Sequence, residues 1–282
     1  MTRIPLPRST FGPIAAASSP LLISGTMLSD VGCRRESNED AVVYHLDDGA
    51  GELLAIVADG MGGHLAGEVA SQLAVETLSR RYLVGEGAPS DLLADCMASA
   101  NRAVYDKAAA DPSCAGMGTT CTALAIRDGA AFLAHVGDSR AYLWRHGTLH
   151  QMSDDQTVVA AMVRDGTLTE AEAAYHPAKS ILLQALGTHP QCYPTIWVDG
   201  LPVAAGDRWV LCSDGLYDVL AVLIIAQTVS ERSPDEACQT LIEKALAVGA
   251  PDNVSVGVFS MRWHPLRQTR RFATACKPRW RG

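Results

Sequence analysis

Five aspartates recur along the chain, each at the end of an apolar run and each beside glycine or asparagine: Asp40 after Asn38-Glu39, Asp59 before Gly60, Asp138 after Gly137, Asp214 before Gly215 and Asp252 before Asn253. An apolar run that stops in Asp-Gly reads as a buried strand delivering a carboxylate to one edge of a sheet, where glycine allows a tight backbone turn. Several carboxylates converging on one place cannot all stay ionised without a cation. An all-oxygen donor set of this kind suits Mg²⁺ or Mn²⁺ rather than zinc. Apart from His64, the histidines show no shared ligand spacing and read as surface or turn residues.

The elements that must position these residues follow from the periodicity between them. Leu53 to Ala58 reads as a buried strand, and Leu65 to Leu83 has helical spacing, with Val69, Leu73, Thr77 and Leu78 near one face. A second helix is predicted after Ser90 as N-cap, running through Leu93, Met97, Ala100 and Val104 to the Ala108 to Ala110 run. From Thr119 the texture changes to strands separated by the turns Asp128-Gly129 and His146-Gly147, so the sheet is expected to be mainly antiparallel. Residues 157 to 200 lack a strand period and carry Gly166, Pro177, Gly187, Pro190 and Pro194, which predicts a helical and loop insertion resembling a lid or flap. Arg208 to Cys212 reads as a strand. Ser233-Pro-Asp-Glu236 has the capping-box pattern of a helix reaching about Val248, and Val254 to Met261 forms a last strand. Hairpins interleaved with helix pairs argue for an α+β fold.

The chain has 282 residues, 48% of them hydrophobic, enough for a large core, and no internal linker interrupts it. Its eight cysteines include no Cys-x-x-Cys pair and read as buried hydrophobes in a reducing cytoplasm. The longest apolar stretch, Val219 to Ala226, is too short to span a bilayer, so a soluble protein is expected. Residues 1 to 24 read as a disordered leader, because Pro5, Pro7, Pro13 and Pro20 break the apolar core that a signal peptide needs. Residues 262 to 282 form a basic tail with seven Lys or Arg and no acid. The remainder then holds 16 basic and 31 acidic residues, a formal charge of −15. Nothing in this balance calls for a nucleic acid or membrane partner.

In chain order, Asp30 to Asp40, Ala58-Asp-Gly-Met-Gly-Gly-His64, Gly116 to Thr120, Gly137 to Tyr142, Cys212 to Leu216 and Gly249 to Ser255 resemble the motifs of the PP2C-type (PPM) metal-dependent serine/threonine protein phosphatases, particularly the compact bacterial members. Six motifs in the family's order, spread over about residues 25 to 261, are specific where any one alone is weak. The resemblance implies a four-layer αββα sandwich, two central antiparallel β-sheets flanked by helix pairs, with a two-metal site at one end. Two divalent ions about 3.5–4 Å apart lower the pKa of a shared water and set it in line with phosphorus, with no covalent enzyme intermediate. Asp40 and Asp59 are the candidates to hold both ions, with the Gly60 carbonyl as a further oxygen, and Asp214 and Asp252 complete the set. The resemblance assigns a weaker third ion to Asp138 and Asp218, water orientation to Glu39 and support of the ligands to Asn253.

Arg35 matches the family's phosphate-binding arginine, and its planar fork suits two phosphate oxygens; Arg34 competes for the role. His64, beyond the metal loop, is a candidate to protonate the leaving serine or threonine oxygen, although the position directly after Asp59-Gly60 is Met61; a structural or solvated histidine is the alternative. The chain departs from the family at Ser153-Asp-Asp-Gln156-Thr157 and at Lys179-Ser180, positions that bear on the flap and substrate preference. The implied function is hydrolysis of phosphoserine and phosphothreonine on proteins, by a cytoplasmic monomer opposing a Ser/Thr kinase. Three other readings compete. A nucleotide-binding loop fails because Leu65 stands where a third glycine is needed. An EF-hand lacks its twelve-residue pattern. A catalytically weak phosphatase-fold regulatory or binding module would be expected to lose acidic ligands, and here each is present.

Overall fold

Alternation along the strands places two sheets face to face. In the computed structural model, which describes residues 2–4, 21–47, 49–62 and 66–263, the first sheet contains β1 (Thr2–Ile4), β3 (Asp40–Asp47), β4 (Glu52–Met61), β5 (Gly118–Thr119), β6 (Cys121–Arg127), β7 (Ala130–Val136), β10 (Thr195–Trp197) and β11 (Leu201–Pro202). Its spatial order is β1-β10-β7-β6-β4-β3, with β11 on β7 and β5 on β4. The second sheet runs β2 (Leu21–Asp30), β13 (Val254–Trp263), β12 (Arg208–Cys212), β8 (Arg140–Arg145), β9 (Thr148–Gln151). Every pairing among the described strands is antiparallel except β1 with β10.

Side chains with period two divide the core into layers. On β4, Leu53, Ala55 and Val57 join Trp209, Leu211, Phe259 and Met261 between the sheets. Their neighbours Leu54, Ile56 and Ala58 face the helices α1 (Ala66–Val84) and α2 (Pro89–Ala110). On the far side Val210, Cys212, Val256 and Val258 pack against α6 (Val222–Glu231) and α7 (Pro234–Ala247). This is the expected α+β sandwich with a helix pair on each face. Helix α1 lies close to its sheet because Ala66, Ala70, Ala74 and Leu78 form its most buried stripe; the predicted Val69 and Leu73 pack at the edge of that cluster.

The two predicted turns close hairpins. Asp128 and Gly129 (φ 52° and 72°) join β6 to β7, and His146 and Gly147 (φ 52° and 81°) join β8 to β9, the positive-φ pairs that match strand twist. Helix α2 starts at Pro89 with Ala88 as N-cap, not after Ser90, because Pro is itself well suited to the first helical position. Glu236 accepts from the N–H and hydroxyl of Ser233 (3.1 and 2.8 Å), the reciprocal half of the predicted capping box. The insertion contains α3 (Val158–Arg164) and α4 (Glu170–Ala173). Its neck is closed by Val158 N–H to the Ile181 carbonyl (2.9 Å) and Leu183 N–H to the Gln156 carbonyl (2.7 Å), and it is tied to the body by reciprocal bonds between Thr119 and Leu186 (3.0 and 2.8 Å). It is shorter than the expected 157–200, because Thr195–Trp197 is strand β10 of the first sheet. Of the predicted leader, Thr2–Ile4 forms a strand and β2 begins at Leu21, four residues before the expected boundary; residues 5–20 and the tail after Trp263 lie outside the described residues. No described helix is long and apolar enough to cross a membrane.

Candidate active site

Four chain segments meet at one end of the sandwich. In the β3–β4 pair Asp40 stands opposite Asp59, and Gly60 N–H donates to the Glu39 carbonyl (3.0 Å). A Cβ on Gly60 would stand 2.0 Å from the carbonyl oxygen of Gly67 and 2.6 Å from that of Glu39, so the strand end and the first turn of α1 touch backbone to backbone, as only glycine allows. The second sheet contributes Asp214, the first residue of α5 (Asp214–Tyr217), directly after β12, and Asp252 and Asn253 directly before β13. Ser213 ties the sheets together here: its hydroxyl donates to Asp40 Oδ2 (2.6 Å) and accepts from Ser255 N–H (3.0 Å). The Asp59 backbone is held as firmly, its N–H donating to Thr120 Oγ1 (2.8 Å) and its carbonyl accepting from Thr119 Oγ1 and Thr120 N–H (both 2.9 Å). The Ser139 hydroxyl stands 2.7 Å from that of Thr120.

The carboxyls so gathered resist ionisation. Burial, reinforced by the charges of Asp214 and Asp252 and opposed by the Ser213 hydrogen bond, pushes Asp40 up to about 7. Burial and the Asp40 and Asp214 charges push Asp59 well above the ordinary carboxylate range. Asp214 rises to about 6 and Asp138 to about 7, again mainly by burial. The Asp40 and Asp214 charges act directly on Asp59, and carboxylates crowded in this way ionise together only around a shared proton or a cation. Asp214 Oδ1 is buried with no hydrogen-bond partner. A crowd of oxygen donors with an orphaned buried oxygen fits a hard divalent cation. Among the described residues no group of three His, Cys, Asp or Glu side chains is ready-made to hold one ion, so the set is a convergent cluster, not a finished coordination shell.

At the rim the acids are paired. Of the two adjacent arginines, Arg35 reaches the cluster: its Nη2 donates to Asp252 Oδ2 (2.8 Å) and its Nη1 lies 3.6 Å from Glu39 Oε2, with 47% of its side chain still exposed. Glu39 is buried beside the Gly67 N–H, and burial raises its pKa against the pull of Arg35. Asn253 accepts from Glu39 N–H (2.8 Å) and donates to the carbonyls of Val31 and Ser37 (2.9 Å each), fixing the loop that carries Arg35. Asp218 is ion-paired with Lys179 at 2.6 Å. A cleft of about 640 Å³ under the insertion is lined by Asp138, Asp214 and Asp218 on one side and Tyr175, Lys179 and Ser180 on the other. Arg140 grips Asp155 with two donors (2.9 and 2.7 Å) and lies 3.6 Å over the Tyr217 ring, whose hydroxyl donates to the Asp138 carbonyl (3.0 Å).

The structure therefore brings together Arg35, Glu39, Asp40, Asp59, Gly60, Asp214, Asp252 and Asn253, and places Asp138 and Asp218 along the adjoining cleft. His64 lies outside the described residues. Sequence reasoning gave Ser213 no role, tied Lys179 only to the flap and substrate preference, and named no role for Thr120 and Ser139 within their motifs. Ser213 had one signal, its position in Ser-Asp-Gly beside a predicted ligand; Lys179 had none beyond its departure from the family pattern.

A sequence profile described as Protein phosphatase 2C matches residues 33–247. The chain is 41% identical over 233 residues to the serine/threonine protein phosphatase PstP of Mycobacterium tuberculosis, covering 82% of this chain but only 43% of that protein; it thus spans less than half of that relative's length. It is 34% identical over 241 residues to the protein phosphatase PhpP of Streptococcus pneumoniae, covering 84% of this chain and 96% of that one. Among solved structures, the catalytic domain of PstP in complex with two manganese ions superposes with a TM-score of 0.76 at 36% identity, covering 86% of this chain and 99% of that domain.

Proposed function

The chain belongs to the protein phosphatase 2C family, and from that premise we propose that it removes phosphate from phosphoserine and phosphothreonine of proteins by metal-assisted hydrolysis, with the region from Leu21 to β13 as its one catalytic domain. The observation that carries this reading is the cluster of Asp40, Asp59 and Asp214, with carboxyls driven toward the neutral form and the buried Asp214 Oδ1 without a donor. Asp40, Asp59, Asp214, Asp252 and the Gly60 carbonyl would hold two divalent ions, Mn²⁺ or Mg²⁺; the PstP catalytic domain is in complex with two manganese ions. Bound there, the ions supply an activated water and neutralise phosphate charge.

The chain's own residues do the rest. Ser213 donates to Oδ2 of Asp40 and so holds the carboxyl in place at the site. Thr119 and Thr120 lock the Asp59 backbone, so that its carboxylate is aimed before substrate arrives. Arg35, half exposed and tethered through Asp252 and Glu39, presents its remaining donors to phosphate oxygens at the rim. Glu39 and Asn253 position the loop that carries it. We further place the protein in the cytoplasm as a monomer whose partners are phosphorylated proteins and a cognate Ser/Thr kinase.

The test is phosphate release from a phosphothreonine peptide with Mn²⁺, with and without chelator, for the wild type and Asp59→Asn. Chelation and the substitution should each abolish turnover. Activity that survives both would overturn the two-metal reading.

A further inference from the structure

His135 is fully buried near the end of β7, three residues before Asp138, and takes no part in the chemistry described above. It stands opposite Thr122 of β6. Its Nδ1 lies 2.8 Å from the Thr122 hydroxyl, and its Nε2 lies 3.1 Å from the carbonyl oxygen of Asp154 in the loop after β9. The same Thr122 hydroxyl lies 2.8 Å from the Ser139 carbonyl. That carbonyl belongs to the turn that presents Asp138. The turn passes through Gly137 at φ 99°, where a Cβ would stand 2.6 Å from Thr120. Gly137 N–H donates to Gln156 Oε1 (3.1 Å), and its carbonyl accepts from Gln156 N–H (2.8 Å). The Ser139 hydroxyl meets that of Thr120 at 2.7 Å, and Thr120 in turn accepts the N–H of Asp59.

The protons in this chain do not cover its contacts. Each of the three contacts around His135 and Thr122 needs one proton, whereas the Thr122 hydroxyl carries one and a neutral imidazole one. Burial, opposed by the charge of Asp155 and the Asp154 carbonyl, lowers the pKa of His135 and favours the neutral ring. One contact therefore goes without. Thr122 and Ser139 are both fully buried, so an unprotonated contact there would set two oxygens face to face at 2.8 Å with no water to compensate. Asp154 is an exposed residue, and its contact is the longest of the three; a carbonyl there has solvent to turn to. We propose that His135 is a positioning residue held in the Nδ1–H form: it donates to Thr122, commits the single Thr122 proton to the Ser139 carbonyl, and so fixes the turn that braces Asp59 through Ser139 and Thr120. The opposite tautomer would reverse Thr122, which would then donate to the ring and release Ser139. The value of bracing Asp59 rests on the reading above, in which it holds metal; the tautomer does not.

NMR of the ring nitrogens in the metal-free full chain at about pH 7.5 reads the tautomer directly, with His135→Asn identifying the resonances by their loss. Nδ1 should carry the proton and Nε2 should be bare. A bare Nδ1 with a protonated Nε2 would overturn the proposal. The bracing is tested by Mn²⁺ calorimetry and by kcat and KM on a phosphothreonine peptide. Thr122→Val and His135→Leu should each weaken Mn²⁺ binding about tenfold and lower kcat more than they raise KM, as loss of support behind a metal ligand does. His135→Asn places an amide N–H near the position of Nδ1–H and should recover most of both. Thr122→Val is nearly isosteric, so it carries the test even where His135→Leu does not fold. Native Mn²⁺ affinity and kcat in Thr122→Val, with only Tm lowered, would reduce the pair to fold stabilisation and overturn the positioning role while leaving the two-metal reading intact. Absence of Mn²⁺ binding in the wild type would instead sink that reading, and the positioning role with it.

Discussion

Arg35 is held by Asp252 at 2.8 Å and faced by Glu39 at 3.6 Å, yet nearly half of its side chain is open to water. That combination describes a group aimed by its neighbours and kept available to a ligand. The hydrogen bond and charge of Asp252 raise its pKa in spite of partial burial, so the guanidinium stays charged at every working pH. If it binds the phosphate of the substrate, Arg35→Ala removes one or two charge-assisted hydrogen bonds, each worth about 1.5–3 kcal/mol, and kcat/KM should fall about 10- to 100-fold or more. Arg35→Lys should recover only part of this, because a point charge cannot reproduce the fork. Steady-state kinetics on a phosphothreonine peptide, with Mn²⁺ binding measured in parallel, separates the outcomes. Loss of turnover with intact metal binding supports the phosphate role, whereas equal loss of metal binding would reassign Arg35 to holding Asp252 in place.

At the level of elements, the site depends on how closely β4 approaches α1. Gly60 is the narrowest point, with the Gly67 and Glu39 carbonyls where a Cβ would stand. Gly60→Ala must push strand and helix apart, an overpacking that typically costs about 1–3 kcal/mol, and the midpoint of urea unfolding should drop accordingly. Because the same shift moves the carbonyl of residue 60 and the carboxylate of Asp59, Mn²⁺ affinity should fall too. A variant of native stability and native affinity would refute the close-contact argument. This element was readable in advance because everything that defines it is local: Leu53 to Ala58 is buried on both faces, and Asp-Gly ends it. The hairpin turns at Asp128-Gly129 and His146-Gly147 were legible for the same reason. What stayed hidden is long-range. Ser213 meets Asp40 across 173 positions, Lys179 meets Asp218 across 39, and β1 pairs with β10 from the far end of the chain. No periodicity encodes such contacts, since they arise only when loops from different elements arrive at one sheet edge. Ser90 shows the opposite failure, two valid local signals in competition, in which Pro89 at the first helical position prevailed over a serine cap.

At the scale of the whole molecule, the cluster makes stability and metal binding depend on pH in opposite senses. Asp40 and Asp138 are raised to about 7, Asp214 to about 6, and Asp59 lies well above its ordinary value, with burial the main cause in each. A carboxyl that holds its proton more tightly folded than unfolded stabilises the fold at low pH, and that contribution is lost as pH rises through the folded value. The metal-free protein should therefore lose stability between about pH 4 and pH 7 on account of this cluster. The lowered carboxyls Asp111, Glu172 and Glu236 act the other way, but their shifts fall below the ordinary carboxylate values, outside this window. His135, fully buried and not at the surface as expected, is lowered by burial and offsets part of the cluster's effect as pH falls below the ordinary histidine value. Cation binding reverses the balance, because the ligands must be deprotonated and their protons leave as the metal arrives. Calorimetric scans with and without millimolar Mn²⁺ should show little gain in Tm at about pH 5.5 and a large one at about pH 7.5, and mixing Mn²⁺ with weakly buffered protein at about pH 6.5 should release at least about one proton per molecule. A gain in Tm that is the same at both pH values, with no proton release, would mean that the ions bind away from Asp40, Asp59 and Asp214.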